Sequence, residues 1–362
     1  GGYYTEDMIL KGNRQQRISL RANSSYKLTR TFEASLSLSG TYNINNIFPS
    51  TRNYYMMLPI FSPYENDGHT YRLYNYYSRD SYFEYAPRLY KFTANDLPER
   101  DQNDNDQYSL NAQMNASLKW EPIQGLSVTT QFVSNYISTY EGIYNARTNL
   151  SGYVENTPMG QSYRSGVFNL NWASISRINF SRQFGRHRIN ALAGLEFKDQ
   201  TNRYLKVSGY GFINDQIKEI NYVSDANIDG GSNTDFDRSL SYMGQAAYSY
   251  DDRYYLTANV RRQGFSEFGE YSRWATFGSI GLGWNIHNEK FFRSKVFDTL
   301  KLKGSFGTSG NSRISSSSAD GSYSISTSYS YLGNMGALQS AVANPGLTWE
   351  TTYMTNIGVS IG

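Results

Sequence analysis

Eleven stretches of the chain alternate apolar and polar residues, and the apolar positions within each carry no charge over a membrane-spanning length. The last shows the pattern best. From Leu347 to Ile361 the odd positions read Leu347, Trp349, Thr351, Tyr353, Thr355, Ile357, Val359 and Ile361, and the even positions read Thr348, Glu350, Thr352, Met354, Asn356, Gly358 and Ser360. Side chains of a strand point to opposite faces with period two, so one face suits hydrocarbon and the other water. A soluble sandwich strand of about 5 residues does not need this length, whereas an outer-membrane strand of roughly 9–11 does. The strands predicted are 16–28, 32–45, 108–120, 125–138, 166–182, 187–199, 238–250, 253–263, 274–287, 299–309 and 347–361.

The outward set this predicts is Leu36, Leu38, Leu110, Ala112, Met114, Leu118, Ile280, Leu282, Ile357 and Val359, with Gln113, Lys119, Asn285 and Asn356 pointing inward. The strand charges Arg17, Arg21, Glu33, Lys119, Arg177, Lys301, Lys303 and Glu350 all fall on the inward positions. A Lys or Arg facing lipid costs about 2–4 kcal/mol at mid-membrane, which explains why the outward positions avoid them. The strand 187–199 is the least clean, because Leu192 shares a face with Glu196 and Lys198. Trp120, Phe180, Tyr248, Tyr250, Tyr254 and Trp284 lie beside short turns, and Tyr42, Tyr108, Trp274 and Trp349 at the opposite strand ends. Two such belts are expected at the headgroup level on either side of a bilayer.

Connections alternate in length. Short ones fall at 28–31, 121–124, 183–186 and 251–252, and long ones at 46–107, 139–165, 200–237, 264–273 and 310–346. That is the outer-membrane pattern of periplasmic turns and extracellular loops. The fold class is therefore all-β, a transmembrane antiparallel β-barrel. Bacterial barrels have an even strand number, so eleven strands cannot close alone. They make about half of a 22-stranded barrel, the size of plugged transporters. The whole span 1–362 is read as part of one barrel domain in a longer protein. The first residues, Gly1-Gly2-Tyr3-Tyr4-Thr5-Glu6-Asp7, carry no signal-peptide pattern.

Composition narrows the alternatives. The 362 residues include 33 Tyr and 19 Phe but only 8 Pro, which suits strands. Mean hydropathy is −0.61, and no apolar run of about 18 residues exists to form a membrane helix. Cysteine is absent, which excludes a disulfide scaffold and thiolate metal sites. A net charge of +3 is too small to suggest nucleic acid.

Candidate chemistry is sparse. His69, His187 and His287 are scattered, and nothing in the chain supports catalysis. The loop 46–107 is rich in tyrosine. Tyr64, Tyr71, Tyr74, Tyr76 and Tyr77 are its candidate contacts to substrate or to a protein lid, since a tyrosine ring offers a flat apolar face and a hydroxyl. The sequence Asp225-Ala226-Asn227-Ile228-Asp229-Gly230 matches the first half of a calcium loop, but Phe236 stands where the bidentate Glu belongs. It reads first as a solvated turn and second as a structural calcium site through Asp225, Asn227 and Asp229. No other cofactor is implied.

Four segments carry a resemblance. They are RRQGFSEFGEYSRWATFGSIGLGWNIHNEKFF from Arg261 to Phe292, LKLKGSFGTSGN from Leu300 to Asn311, NPGLTWETTYMTNIGVSIG from Asn344 to Gly362, and the upstream hairpin RQQRISLRANSSYKLTRTFEASLSLSGTY. In order and spacing they resemble the barrel of SusC/RagA-type TonB-dependent transporters of the Bacteroidota. Gln263-Gly264-Phe265-Ser266 departs from that family's D-G-S-S at a loop base. The resemblance implies a plug domain and TonB box upstream, a SusD-like surface lipoprotein as lid, and energy from TonB–ExbB–ExbD. It also implies active import of oligosaccharides or peptides across the outer membrane of a Gram-negative bacterium. A passive diffusion porin shares the strand pattern and is the alternative.

Overall fold

A computed structural model describes residues 1–362 except 10–11, 48–61, 72–94, 96, 156, 294–295 and 313–318. Among the described residues twelve strands form one antiparallel sheet in which neighbours in sequence are neighbours in space. They are β1 (Gly2–Asp7), β2 (Arg14–Lys27), β3 (Phe32–Asn46), β4 (Asp104–Ile123), β5 (Leu126–Asn145), β8 (Gln161–Phe184), β9 (His187–Tyr210), β10 (Ile228–Tyr250), β11 (Tyr254–Phe265), β12 (Trp274–Asn285), β13 (Leu300–Asn311) and β16 (Glu350–Ile361). Two small hairpins lie in the connections: β6 (Tyr153–Val154) with β7 (Thr157–Pro158), and β14 (Ser322–Tyr331) with β15 (Asn334–Ala341). A helix α1 (Leu97–Gln102) precedes β4.

Register decides which side chains share a face, because a one-residue slip would turn a whole strand over. Leu36 pairs with Ala116 and Leu38 with Met114. The same parity then runs through Phe132 opposite Ala116, Ser174 opposite Phe132 and Phe197 opposite Ser174. It continues through Leu240 opposite Phe197, and nearer the short turns Leu256 pairs with both Tyr248 and Leu282. Val359 closes the run opposite Leu302. All ten outward residues expected from the sequence lie on this face, and Gln113, Lys119, Asn285 and Asn356 lie on the other.

The second face is concave. Arg177 of β8 and Ser309 of β13 line a single cavity of about 620 Å³, although β9, β10, β11 and β12 separate their strands. Only the inside of a curved sheet brings such distant strands to one space. Leu192, Glu196 and Lys198 are on this inner face, which accounts for the mixed composition of β9. The apolar face is therefore the outer one.

Aromatic rings bracket the apolar face. Phe32–Trp120, Tyr250–Tyr254 and Tyr254–Trp284 neighbour one another along the short-turn rim. Tyr108–Tyr140, Trp172–Phe197 and Tyr242–Trp274 do so at the other boundary. Trp274 and Trp284 bound β12, ten residues apart. That is about 33 Å along the strand, or about 25 Å of height at the usual barrel tilt, the thickness of an outer-membrane apolar band.

Four features differ from the sequence expectation. The sheet has twelve strands rather than eleven, because the short β1 pairs with β2. Strands β4, β5, β8, β9 and β10 run well past the predicted ends and reach 24 residues in β8 and β9. Beyond the aromatic belt both faces meet water, so alternation stops while backbone pairing continues, as between Asn202 and Asp235. The β14–β15 hairpin was expected as loop. Finally, Trp349 does not join the outer belt. It is 8% exposed on the inner side, stacked on Phe268 at 4.7 Å and edge-on to Phe277 at 5.5 Å.

The turns at the short rim are tied in sequence. Glu121 N–H donates to Thr31 C=O, Ser181 N–H to Gly125 C=O, Asp251 N–H to Arg186 C=O and Asn285 N–H to Arg253 C=O, at 2.7–2.8 Å. Asp251 and Asp252 both have φ of 50°, the paired left-handed residues of a type I′ hairpin turn. Gly125 has φ of +89°, and a Cβ there would sit 2.3 Å from the Ser181 carbonyl oxygen, so no other residue fits.

The register makes a direct prediction. Met114→Arg places a guanidinium on the outer face and should lower the unfolding free energy in lipid vesicles by about 2–4 kcal/mol. Gln113→Arg, one residue away on the inner face, should change it by less than about 1 kcal/mol. Denaturant titration of the two variants measures both values; equal losses would mean the assigned register is wrong.

Candidate functional site

The long-loop rim and the inner wall beneath it hold the candidate site. Parts of three connections at that rim, 97–103, 146–155 and 211–227, are locked into one platform. Asn103 is the hub. Its Oδ1 accepts from the Ala146 N–H at 2.8 Å and from Asn149, and its Nδ2 donates to Glu99 at 2.6 Å and to Ser151 at 2.9 Å. Thr148 Oγ1 donates to Gln102 at 2.7 Å. Asp215 accepts from the Tyr144 hydroxyl at 2.9 Å and the Arg147 N–H at 2.8 Å, and Lys218 pairs with Asp104. Beneath these bonds Tyr144, Ala146, Phe212, Ile220 and Val223 form a buried apolar cluster, with Tyr144 edge-on to Phe212. Burial and the Asp215 carboxylate push the Tyr144 hydroxyl well above the ordinary tyrosine range, so it stays a donor.

The tyrosine candidates divide. Tyr64 and Tyr71 close a tight loop, their rings stacked at 5.0 Å, with Asp67 accepting from the N–H groups of His69 and Thr70 at 2.9 and 2.8 Å. The Tyr71 hydroxyl donates to Asp101, and that bond raises its titration above the usual tyrosine range. Asn95 Nδ2 donates to the Pro63 carbonyl at 2.9 Å and anchors the loop. These two rings are thus held together and presented on a braced loop. Tyr74, Tyr76 and Tyr77 lie outside the described residues.

The calcium-like segment takes another form. Asp225–Asn227 is a 3-10 turn, and the ladder of β10 begins at Ile228. Asp229 pairs with Ser208 and Gly230 with Val207 in extended backbone, where a calcium loop needs its sharp turn. Phe236, in the position of the missing Glu, lies under the Arg238 guanidinium. Among the described residues no three His, Asp or Glu side chains form a metal-holding group. The three histidines serve local roles: His187 Nδ1 bonds the Tyr248 hydroxyl at 2.7 Å, His287 Nδ1 meets Leu300 backbone, and His69 lies in the Asp67 turn.

Sequence reasoning did not find the inner cavity. Its wall comes from β8 to β13 and combines Arg177 and Arg261 with Gln245, Gln263, Phe277 and Trp349. Only cross-strand register brings these residues together. Over its upper end folds the loop 266–273. Phe268 of that loop is buried against Trp349, Ser266 N–H donates to the Arg238 carbonyl at 2.9 Å, and the Arg238 N–H donates to Ser266 Oγ at 2.8 Å. Trp349 Nε1 reaches the Arg273 carbonyl at 3.4 Å. Burial, then a hydrogen bond shared with the Asp237 carboxyl, pushes Glu267 up to about 8.

The outer face is not wholly free of charge as expected, since Arg262 lies over the Trp274 ring at one belt and Arg238 pairs with Asp199 beyond it. A curved sheet with an uncharged outer band between paired aromatic belts and a polar inner wall defines a membrane-embedded β-barrel. The chain belongs to the family described as TonB dependent receptor-like, beta-barrel, which it matches over residues 41–361. This is an outer-membrane family. The chain is 27% identical to TonB-dependent receptor P39 of Formosa agariphila over 99% of its own length and 33% of that protein. It is 33% identical to TonB-dependent receptor SusC of Bacteroides thetaiotaomicron over 34% of its length and 13% of that protein. In structure it is similar to the RagAB peptide transporter, with a TM-score of 0.78 at 20% identity over 99% of this chain and 40% of the other. The chain thus spans about a third of the relative it matches along nearly its full length.

The Glu267–Asp237 pair sets a pH dependence. The folded state keeps a proton on Glu267 up to about pH 8, whereas the free carboxyl releases it near 4.5. Attachment of loop 266–273 is therefore strongest below pH 4.5 and weakens as pH rises through about 8. Trp349 fluorescence, with Trp349→Phe as the blank, should report this loosening between pH 5 and 9. Glu267→Gln, which keeps the hydrogen bond and removes the titration, should flatten the curve; an unchanged curve would show that another group is responsible.

Proposed function

We propose that this chain is part of the barrel of an energised importer in the outer membrane of a Bacteroidota bacterium. In this reading the short-turn rim faces the periplasm and the long-loop rim faces outward. An upstream plug with a TonB box closes the lumen, and the TonB–ExbB–ExbD complex supplies the work. A SusD-like lipoprotein covers the long-loop rim, and the cargo is an oligosaccharide or a peptide. The observation that carries the reading is the combination of an inner wall at least twelve strands around with long loops braced into a platform at one rim. A 22-stranded barrel, of which these strands would be about half, has a lumen wide enough to need a plug. A braced platform suits a stable partner, which needs an interface above about 1,000 Å².

The relatives' names support the same class: two Formosa agariphila proteins and the Bacteroides SusC are named TonB-dependent receptors, and the structural neighbour is titled a peptide transporter. Nothing in the fold calls for bond-making chemistry, and the chain is read as transport machinery rather than an enzyme.

Deleting TonB from the producing strain should reduce cargo uptake through the full-length protein to the background of a strain lacking the protein. A lipoprotein should co-purify with it from the outer membrane. Uptake that persists without TonB, with no lipoprotein bound, would favour a diffusion porin.

A further inference from the structure

The outer face changes character above the long-loop aromatic belt, and it does so on one side of the sheet. There β9, β10 and β11 each carry an exposed arginine: Arg203, Arg238 and Arg262. Parity puts all three outside. Arg203 is opposite Phe168 and Thr234, Arg238 is opposite Asp199, and Arg262 is opposite Tyr242 and Thr276. Arg262 lies over the Trp274 ring at 5.5 Å, level with the belt. Arg238 stands four residues beyond Tyr242 on β10, and Arg203 six beyond Phe197 on β9. At the usual barrel tilt the patch therefore climbs to about 15 Å above the belt.

One carboxylate shares this area. Asp199 accepts from Arg238 Nε at 2.7 Å and from Thr201 Oγ1 at 3.2 Å. Among the described residues Arg203 and Arg262 form no ion pair. Arg164 of β8 is spent on backbone, its Nη1 donating to the Ile143 and Tyr163 carbonyls at 3.1 and 3.2 Å. On β4 the same face holds the opposite charge, Asp104 and Asp106, so the cations are not a general property of the rim. Apolar side chains run up among the arginines. Leu205 and Phe236 are both exposed there, and the Arg238 guanidinium lies over the Phe236 ring at 5.2 Å. Further strands would extend the sheet at its edges, β1 and β16, and a plug would fill the inner side, so neither covers the outside of β9 to β11.

We propose that this patch binds a phosphate-bearing glycolipid of the outer leaflet. Guanidinium groups set among exposed apolar side chains suit an amphiphile at a membrane surface, whereas a free phosphate has no use for the apolar ones. A phospholipid headgroup layer adds only about 5–8 Å to each side of the hydrocarbon, half the height of the patch. The ligand must therefore carry negative charge well above its acyl chains, as phosphorylated sugars do. Arg262 takes a phosphate at the acyl boundary, Arg203 takes an anionic group further out, and Leu205 and Phe236 take apolar sugar faces between them. A guanidinium binds a phosphate through two parallel hydrogen bonds, which fits the use of arginine at all three positions. The inference rests on the importer reading for which rim faces outward.

The test is lipid binding to the full-length protein in detergent micelles, read by native mass spectrometry. The probes are bisphosphorylated lipid A, its monophosphorylated form and phosphatidylglycerol. Bisphosphorylated lipid A should bind about fivefold or more tightly than either of the others, the effect of one further arginine–anion contact. Replacing both Arg203→Gln and Arg262→Gln should weaken it about tenfold or more, and Arg203→Lys with Arg262→Lys should keep most of the binding, which separates charge recognition from misfolding. Lys206→Gln removes a cation from the inner face of β9 at the same height and should change binding by less than about twofold. Phosphatidylglycerol binding as tightly as bisphosphorylated lipid A would show a plain surface-charge effect and overturn the proposal. So would unchanged lipid A binding in the double Gln variant, an equal loss in Lys206→Gln, or a double Gln variant that loses a bound second copy of the protein rather than lipid. Binding in micelles needs neither TonB nor cargo, so this experiment can fail while the TonB-deletion result stands, and the reverse.

Discussion

The constraint on which this structure depends is that hydrocarbon offers no partner to a backbone N–H or C=O. Within the bilayer every such group must be paired by the chain itself, and for strands that means an unbroken ladder. The twelve strands obey this by pairing each with the next in sequence. Once the ladder is fixed, parity along each strand has no freedom left: a residue faces either lipid or lumen, and its partners on both neighbours face the same way. The uncharged outer band, the position of the aromatic belts that bound it and the polarity of the inner wall follow from that requirement.

The inner wall shows what parity leaves available. Side chains far apart in sequence become neighbours along cross-strand rows, as Arg177, Met243 and Arg261 do from β8, β10 and β11. The same logic gives the inner wall two characters. Midway along β4 and β5 it presents uncharged amides such as Gln113 and Asn135, which are directly paired. From β8 to β13 it is cationic, with Arg177, Lys198, Arg261, Lys301 and Lys303. Above the aromatic belts the strands continue as a polar palisade, and the loops they carry are fastened by Asn103, Asp215 and the aromatic contact of Phe268 with Trp349.

Within the membrane zone the fold was legible in the sequence because lipid and water impose opposite chemistry on alternate residues. Leu36, Met114, Leu282 and Val359 could be assigned a face from spacing alone. Outside that zone the signal fades for a physical reason. Asp229 to Asp235 form a regular strand with nothing apolar on either face, so no periodicity announces it. Trp349 was misplaced because parity was extended past the strand end at Glu350, where the backbone turns inward under loop 266–273. The Asp225–Gly230 segment has the residue types of a calcium loop, but ladder pairing of β9 with β10 holds its second half extended. The site was less legible still. Tyr64 and Tyr71 were singled out by composition, whereas the Arg177 cavity depends on register across six strands.

The central claim is that one continuous face of this sheet is in lipid. Spin labels placed singly at each position from Ala275 to Gly283 of β12, in vesicles, test it by their accessibility to oxygen, which partitions into lipid, and to a water-soluble nickel chelate. The account predicts a strict two-residue alternation: Thr276, Gly278, Ile280 and Leu282 accessible to oxygen, and Ala275, Phe277, Ser279, Gly281 and Gly283 accessible to the chelate. Uniform access to the chelate along the whole strand, or alternation of opposite phase, would contradict it.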